Sequence, residues 1–310
     1  MKRPPDLDGV RASRVQLPRG PWVRVLDALC VLFPAIPRTQ WQVRFDAGRI
    51  LDEACQPLPA DAGCSVGMQV YYYRDVSEEP RLAAEATILH RDDHLLVVDK
   101  PHFLAVTPAG RFVRDTLLAR LTRETGLDTL APLHRIDRAT AGLVMFSVKP
   151  ATRDAYQALF RQRAIDKRYE AIALALPDVA FPVVRRSRIE RGEPFFRMRE
   201  AAGEANSETR IEVIARGQTH WHYALHPLSG RKHQLRVHMA SLGAAILHDP
   251  LYPQLDQAAI AHDHAPLQLL AKGLSFADPL DGRPRRFESR LALLEVALCG
   301  GADRHDATRS

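Results

Sequence analysis

The sequence predicts an α+β protein, and three features of its patterning lead to that fold class. Apolar runs of roughly four to eight residues, typical of buried strands, recur along the chain, as at Leu143–Phe146 and Tyr169–Leu176. Segments with helical spacing lie between such runs, as at Val23–Leu32 and Leu117–Leu121. A hydrophobic fraction of 46% over 310 residues is ample for packed cores in one large domain or two.

The first part of the chain is predicted to be an arm followed by a small α/β module. Residues 1–20, rich in Pro and Arg, are expected to form a flexible arm. Residues 21–75 contain two helical segments separated by Pro34 and Pro37, and then two short strands, RILDE and VYYY. Residues 1–50 carry nine Lys or Arg against four Asp or Glu, an excess expected of an accessory binding element.

A larger domain is predicted over residues 85–299, with a disordered tail at residues 300–310. It begins with a β-hairpin in ATILHRDDHLLVVDKP. A helix follows, capped by Asp115 and ended by Gly126, and Pro150 starts another. The later elements expected are strands at Arg210–Ala215 and Thr219–Leu225 and a closing helix at Leu291–Leu298.

Charge and cysteine usage narrow the class of protein. A formal net charge of +6 favours a polyanionic partner. There is no run of about 20 uncharged apolar residues and no apolar secretory segment at the N-terminus, so we expect a cytoplasmic protein without a membrane span. The four cysteines include no C-x-x-C pair, which argues against a disulfide framework or a zinc knuckle.

The segment His134–Pro150, HRIDRATAGLVMFSVKP, is the most informative stretch. It sets Asp137 between Arg135 and Arg138, and a turn ending at Gly142 precedes the apolar run. Arginines near a carboxyl lower its pKa and keep it ionised, the state that a nucleophilic or electrostatic carboxylate requires. Composition alone favours the alternative, a surface turn whose alternating charges are merely solvated.

Further segments, in order along the chain, carry a family resemblance. HRIDRATAGL is similar to the signature His-Arg-Leu-Asp-x-x-Thr-Ser-Gly-Leu of the RluA-type pseudouridine synthases, and VVDKPHFLAV to their Lys-Pro strand and turn. KRYEAIALA, Lys167–Ala175, and PLSGRKHQLRVHMASLGAAILHDPLY, Pro227–Tyr252, resemble two more of the family's motifs. The similarity spans roughly residues 85–290. It implies a pseudouridine synthase fold, with a mainly antiparallel central sheet, flanking helices and a cleft across the middle.

The resemblance implies an enzyme that converts uridine in structured RNA, ribosomal or transfer, into pseudouridine without cofactor or metal. Asp137 would act at the ribose, either as nucleophile or as base. Arg236 corresponds to the arginine that pairs with this aspartate and would keep it ionised. Tyr169 corresponds to the active-site tyrosine, whose ring would stack on uracil and whose hydroxyl would assist proton loss from the base carbon. An ordinary tyrosine in the core of a strand is the alternative.

Residues on either side of the predicted site are expected to contact RNA. Arg135 resembles the residue that either occupies the position vacated by the flipped nucleotide or steadies that nucleotide. A helix predicted to end at Gly243 would present backbone N–H groups and basic side chains to a phosphate at its start. The RNA contacts predicted are His134, Arg135, Arg231, Lys232 and His233.

Two basic regions are candidates for further RNA contacts. Residues 183–200 interleave arginines with Phe195 and Phe196, a pattern suited to phosphate pairing and base stacking. The alternative is a charged hairpin with the phenylalanine pair turned inward. The pattern RTQWQVRFDAGRILDE…VGMQVYYYR in the N-terminal module resembles the alpha-L RNA-binding motif, and a structural cap without RNA contact is its alternative.

The last motif departs from the family at three positions outside the predicted catalytic trio. His248 stands where a glycine usually precedes the aspartate of Gly-Asp-x-x-Tyr, Pro253 follows the tyrosine in place of glycine, and Leu270 stands where a histidine is often found. These departures bear on the identity of the substrate more than on the type of reaction.

Two rival functions stay open at this point. A non-catalytic RNA-binding protein on a synthase scaffold would not require Asp137, Tyr169 and Arg236 together. A metal-dependent hydrolase would use clustered histidines, although the sequence has no H-E-x-x-H pattern. Its candidate ligands are His220, His222, His262 and His264. No protein partner is implied, and a monomer is expected.

Overall fold

The computed structural model describes residues 4–5, 7, 12–34, 36–73, 82–108, 112–262 and 265–299. Backbone contacts divide the chain into two compact units, residues 1–81 with 108–115, and residues 82–107 with 116–310. The predicted tail at residues 300–310 lies outside the described part. No helix in the described ranges is long and apolar enough to cross a membrane.

The N-terminal unit is a three-stranded antiparallel sheet with two helices. Its sheet order is β1-β3-β2. The elements are β1 (Ser13–Gln16), α1 (Val25–Leu32), α2 (Arg38–Asp46), β2 (Ile50–Leu51) and β3 (Gln69–Tyr72). The flexible arm predicted over residues 1–20 is therefore wrong for its second half, because β1 pairs with β3 along its whole length.

An aromatic cluster explains why this small unit has a core of its own. Trp41 is fully buried, with its ring 5.7 Å from that of Phe33 and 5.4 Å from that of Tyr72. Pro37 precedes α2 with φ −58°, a value suited to a helix start, and separates α1 from α2 as the prolines predicted. Aromatic burial of this extent supplies much of the hydrophobic stabilisation available to a small module.

The larger unit is built around an eleven-stranded sheet. Its order is β10-β9-β11-β12-β8-β13-β7-β5-β4, with β14 beside β13 and β6 beside β7. The strands are β4 (Thr87–Arg91), β5 (Leu95–Lys100), β6 (Ala131–Pro132), β7 (Ala141–Ser147), β8 (Asp166–Leu174), β9 (Val183–Arg191), β10 (Met198–Ala201), β11 (Ser207–Arg216), β12 (His220–Pro227), β13 (Leu269–Ala277) and β14 (Pro284–Glu288). The helices are α3 (Leu117–Thr125), α4 (Arg153–Arg161), α5 (Gln234–Ser241) and α6 (Gln257–His262).

Helices cover both faces of the sheet's centre, which explains the uninterrupted apolar runs in β5 and β7. Alternate residues of these strands pack with α4 on one face and with α3 on the other. Within the described residues, β7 and β13 run parallel and every other pair in this sheet is antiparallel. The mainly antiparallel α+β fold predicted from the sequence is confirmed.

Gly142 lies in a strand and not in the predicted turn. It belongs to β7, has φ +108°, and pairs with Ala271 of β13. A Cβ at this position would overlap the backbone of Ala271. Glycine is thus required for the close parallel approach of β7 to β13, immediately after the loop that carries Asp137.

Two other local predictions need correction. The N-cap of α3 is Thr116, whose hydroxyl accepts a backbone N–H of the first turn, and not Asp115. Gly126 ends that helix in the left-handed conformation, as predicted. The helix expected at Leu291–Leu298 is wrong, since only a short 3-10 helix forms, at Val296–Cys299.

Candidate active site

Asp137 lies on a loop between β6 and β7, defined here as the Asp137 loop, residues 133–140. The end of β5 and the residues just after it donate hydrogen bonds to carbonyl groups of this loop. Lys100 Nζ donates to the carbonyl of Arg138 at 3.2 Å, and His102 Nδ1 donates to that of Ala139 at 2.7 Å. Ala139 also packs against the core cluster beneath β8 and β12. The Asp137 loop is therefore fixed to the sheet rather than free.

Arg236 reaches Asp137 from α5. Leu235 and Met239 of this helix pack on the cluster shared with β8, β11, β12 and β13, which fixes the helix against the sheet. Arg236 Nη1 then donates to Asp137 Oδ2 at 3.2 Å, although the two residues are 99 positions apart in sequence. The pairing of Arg236 with Asp137 that the resemblance implied is present in the structure.

Asp249 is a component of the site that the sequence reasoning missed. Its two oxygens accept from Arg236 Nε at 2.8 Å and from Arg236 Nη2 at 2.6 Å. The same carboxylate accepts the backbone N–H groups of Leu251 and Tyr252. The sequence signal for Asp249 is the HDPLY segment of the last motif, in which His248 departs from the family pattern.

Exposure separates the two carboxylates that share Arg236. The Asp137 side chain is 28% exposed, whereas those of Arg236 and Asp249 are 3% and 1% exposed. Asp249 thus orients the guanidinium from within the protein, and Asp137 is the carboxylate that an incoming molecule can reach. A bidentate pair of this kind fixes both the position and the direction of the third N–H group.

Opposing effects set the charge of Asp137. Burial alone would raise the pKa of its carboxyl, but His233, Arg236 and Lys232 lower that pKa below the ordinary value of 3.8. Burial also lowers the pKa of His233 to about 4, so this ring is uncharged at neutral pH. In that range the permanent charge of Arg236 keeps the pKa of Asp137 low. Asp137 is consequently ionised throughout the neutral range.

Tyr169 of β8 is placed near the same carboxylate. It pairs with Leu225 of β12 and Ala271 of β13, and it packs against the cluster that supports α5. Burial and the charge of Asp137 both raise the pKa of its hydroxyl, which is therefore protonated at neutral pH. Among the described residues this hydroxyl makes no hydrogen bond, so it is available to a ligand.

Lys100 is a second residue whose part in the site sequence reasoning did not specify. It is fully buried and donates to the carbonyl groups of Pro101 and Arg138. Burial lowers its pKa to about 7, while Asp137 acts in the opposite direction. The sequence signal for Lys100 is the Lys-Pro pair of VVDKPHFLAV, which is part of the family resemblance.

His134 is placed differently from the prediction of an RNA contact. Its Nε2 accepts the backbone N–H of Met145 at 3.1 Å, and its ring stacks on that of Phe160. Burial lowers its pKa to about 3, so the ring is neutral. These contacts make His134 a support of the Asp137 loop.

The other predicted RNA contacts differ in their surroundings. Arg135 is exposed and has no ion pair or hydrogen bond within the described residues. Arg231 and Lys232 are exposed as well, and they donate to the carbonyl groups of Asn206 and Phe196. His233 instead lies inside the site, with Nε2 3.9 Å from Asp137 Oδ1.

The arginine-rich segment forms the hairpin of β9 and β10. Several of its arginines pair with glutamates, as Arg186 does with Glu208 and Arg199 with Glu190. Phe195, at the tip, is 70% exposed, and its ring meets that of Phe196 edge-on. The charged-surface alternative therefore describes much of the strand, but Phe195 is not turned inward as that alternative required.

The metal hypothesis finds no cluster in the described residues. No three His, Cys, Asp or Glu side chains come together there as a metal site requires. His222 faces Glu170 at 3.2 Å, and His220 contacts Thr219. The side chain of His262 and the whole of His264 lie outside the described part.

Comparison with known proteins identifies the family. The family model for RNA pseudouridylate synthases matches residues 94–241. The dual-specificity RNA pseudouridine synthase RluA of Haemophilus influenzae is 31% identical over 219 residues, which cover 69% of this chain and 97% of that protein. The chain belongs to the RluA-type RNA pseudouridine synthases.

Longer relatives and solved structures agree with membership of this synthase family. The pseudouridylate synthase RPUSD2 of Mus musculus is 30% identical over 251 residues, which cover 76% of this chain but only 43% of that protein. A structure of human RNA pseudouridylate synthase domain containing 1 superimposes with a TM-score of 0.55 at 23% identity, covering 68% of this chain and 85% of that one. The latter likeness shows a shared fold.

Proposed function

We propose that this synthase converts uridine into pseudouridine in structured RNA through Asp137. The observation that carries the proposal is the accessible carboxylate of Asp137, held ionised by a buried arginine that a second, inaccessible aspartate orients. Tyr169 lies close enough for the Asp137 charge to act on its hydroxyl. This arrangement suits a reaction at a sugar carbon beneath a flat base.

The proposed reaction is an isomerisation in which all atoms are retained. The bond between N1 of uracil and C1′ of ribose breaks, the base turns, and C5 bonds to C1′. The proton lost from C5 is balanced by one gained at N1. Asp137 acts at C1′ as nucleophile, or at the ribose as base, and Tyr169 holds the detached base. Because the hydroxyl of Tyr169 stays protonated at neutral pH, it is not the base that takes the proton from C5.

The number of accessible carboxylates favours isomerisation over glycoside hydrolysis. Hydrolysis of a glycosidic bond ordinarily uses two carboxyl groups, one of which acts as the acid. Asp249 has both oxygens on Arg236 and is 1% exposed, so it is not available as a second group. Asp137 acts without a carboxyl partner in this proposal.

The exposed cations near Asp137 support an RNA substrate. Arg135 lies two residues from Asp137 and has no partner within the described part of the chain, and Arg231 and Lys232 stand just ahead of α5. We propose that they bind phosphates around an extruded uridine, whose unstacking costs roughly a few kcal/mol and least in a loop. Ribosomal and transfer RNA are both candidate substrates, and a monomer in the cytoplasm is the proposed working form.

Tritium release from RNA labelled at C5 of uridine tests the role of Asp137. We expect the wild-type protein to release tritium and Asp137→Asn to release none, because the amide is neither nucleophile nor base at neutral pH. The variant is expected to bind the same RNA with unchanged affinity, which shows that it is folded. Equal release by both proteins would remove Asp137 from the mechanism, and absence of release by both would favour the non-catalytic RNA-binding alternative.

The substrate RNA is identified by a separate experiment. Pseudouridines are mapped in total RNA from a strain that lacks this protein and from its parent. We expect one or a few positions to be lost in the deletion strain and restored by the wild-type protein, but not by Asp137→Asn. Size-exclusion chromatography of the purified protein checks the proposed monomer.

A further inference from the structure

His233 has a strained backbone at the start of α5. Its φ of 56° and ψ of 17° lie in the left-handed region, which costs a residue with a Cβ roughly 1 kcal/mol or more. Its side chain is nearly buried, and Nδ1 is 2.8 Å from the hydroxyl oxygen of Tyr252. Strain that tertiary contacts maintain is typical of residues held in place for function.

The partners of Tyr252 determine which nitrogen of His233 carries the proton. The Tyr252 hydroxyl oxygen accepts the backbone N–H of Met198 at 2.7 Å, and the residue is 5% exposed. Its own O–H group therefore needs an acceptor inside the protein. Among the described residues His233 Nδ1 is the acceptor in reach, so the proton of the neutral ring is on Nε2.

This tautomer directs an N–H group at the carboxylate. His233 Nε2 is 3.9 Å from Asp137 Oδ1, the oxygen that Arg236 does not bind. Burial lowers the pKa of His233 to about 4, which keeps the ring neutral and the tautomer defined at neutral pH. A small movement of the Asp137 loop would convert this contact into a hydrogen bond.

We propose that Tyr252 and His233 are positioning residues that orient Asp137 through Oδ1, while Arg236 holds Oδ2. The proposal rests on the proposed role of Asp137. The relay runs from the backbone of Met198 through the Tyr252 hydroxyl and the His233 ring to the carboxylate. It fixes the plane of the carboxylate, which one arginine contact alone leaves free to rotate.

The relay also connects Asp137 with the β9–β10 hairpin. Met198, which donates to Tyr252, is the first residue of β10. Arg197, at the hairpin tip, has its guanidinium carbon 5.2 Å from the centre of the Tyr252 ring, and that of Arg236 lies 5.4 Å from the same centre. Displacement of the hairpin would therefore move Tyr252 and, with it, the proton directed at Asp137.

Several charged or titratable groups besides His233 influence the pH profile and are unchanged in the variants below. Those acting on Asp137 are Arg236, Lys232, Tyr169 and Lys100. Those acting on His233 are Asp137, Arg236, Lys232 and Asp249. Because these groups are the same in the wild type and in every variant, a change in the pH profile of kcat is caused by loss of the relay.

Two variants remove the relay by different routes. Tyr252→Phe keeps the ring near both guanidinium groups but removes the hydroxyl. His233→Asn keeps a residue that tolerates the left-handed conformation but is too short to link Tyr252 with Asp137. Tyr223→Phe is the matched control, since it keeps the ring of this buried tyrosine of β12 in its core cluster and removes only a hydroxyl that donates to the carbonyl of Leu174.

Tritium release is measured for each protein as a function of RNA concentration and of pH. We expect both relay variants to lower kcat about ten-fold with little change in KM, the effect of one lost hydrogen bond on an aligned carboxylate. We also expect the acid limb of kcat to move to higher pH, since Asp137 loses a stabilising N–H group. The double variant should lose no more than either single one. Tyr223→Phe should match the wild type.

A purely structural role predicts a different result, namely less folded protein with an unchanged kcat per folded molecule and an unchanged acid limb. That result would overturn the proposal. Nitrogen chemical shifts of ¹⁵N-histidine-labelled full-length protein give the His233 tautomer without any assay of activity. A proton on Nδ1 would also refute the relay. The proposed function fails instead if the wild-type protein releases no tritium while the tautomer is as inferred.

Discussion

Asp137 and Asp249 show how one arginine can serve two carboxylates with different tasks. Asp249 accepts two N–H groups of Arg236 and two backbone N–H groups, so both of its oxygens are hydrogen-bonded inside the protein. Asp137 accepts from the remaining nitrogen, and its side chain is 28% exposed. The buried aspartate therefore supplies direction to the guanidinium, and the accessible one is the carboxylate that we propose to react.

Asp249→Asn tests this division of labour. The amide cannot accept both N–H groups of Arg236, so a buried guanidinium loses half of its pairing, and we expect a stability loss of roughly 3 kcal/mol. We also expect kcat to fall by at least about ten-fold, because Arg236 is then free to turn away from Asp137. Urea unfolding and tritium release measure the two effects.

Asp278→Asn is the matched control for that substitution. Asp278 is also buried, with Arg285 Nε at 3.0 Å and the Tyr156 hydroxyl at 3.1 Å, but it is not among the groups around Asp137. It should lose comparable stability while kcat per folded molecule stays at the wild-type value. If both variants lost activity only in proportion to unfolding, Asp249 would be a structural residue.

At the residue scale, the sequence indicated three residues that the structure brings together, but not the residues that hold them in place. Asp137, Tyr169 and Arg236 each occur within a motif, and the pairing of the first with the third was expected. Asp249 was passed over because spacing along a chain does not tell which carboxylate an arginine will face after folding. The contacts of His134 with Met145 and Phe160 were not foreseen, because neighbouring loop residues such as His134 and Arg135 can point to opposite sides.

At the element scale, the β9–β10 hairpin combines a neutralised stem with an exposed aromatic tip. Ion pairs with Glu190 and Glu208 leave less positive charge on the stem than its arginine content indicates. The tip instead exposes Phe195 and is joined through Arg197 to the carbonyl of Pro253. An exposed ring on an anchored tip is suited to stacking on an unpaired base.

Phe195→Ala tests whether the tip contacts RNA. Loss of one stacked base costs roughly 1–3 kcal/mol, so we expect the Kd for substrate RNA to rise by at least about five-fold. Thermal stability should not change, because the side chain is mostly exposed. Leu280→Ala, at an exposed position in the turn between β13 and β14, is the control and should bind normally. An unchanged Kd for Phe195→Ala would favour the charged-surface interpretation of the hairpin.

Elements were predictable where their signals are local. The β4–β5 hairpin and the glycine end of α3 follow from short patterns, and both are present. The role of Gly142 was not predictable, because it depends on the approach of β13, which lies some 130 residues further along the chain.

At the scale of the whole molecule, the catalytic unit keeps several histidines neutral by burying them. His238 is fully buried among hydroxyl groups, with Ser187 and Ser207 at its Nε2 and Thr209 at its Nδ1. Burial lowers the pKa of His238 and of His233 to about 4, and that of His134 to about 3. These rings support the site and the sheet only in their neutral form.

The free energy of unfolding should therefore fall as the pH is lowered from about 6.5 to about 4. In this interval the unfolded chain takes up protons at histidines whose ordinary pKa is about 6.5, and the folded chain does not. When the pKa of a histidine is lower in the folded chain than in the unfolded chain, its contribution to the free energy of unfolding is complete above the unfolded pKa. That contribution is lost as the pH falls. For the fully buried His238, a pKa of about 4 corresponds to roughly 3 kcal/mol across the interval.

Urea midpoints of His238→Gln and the wild-type protein, compared at about pH 7 and about pH 5, measure this contribution. We expect the variant to be less stable at neutral pH, since its hydroxyl partners lose a ring nitrogen, but to lose less stability on acidification. His248→Asn, at an exposed position with φ 62° that asparagine tolerates, should keep the wild-type slope. An equal slope in His238→Gln and wild type would mean that His238 binds its proton in the folded state, contrary to the burial that the structure gives it.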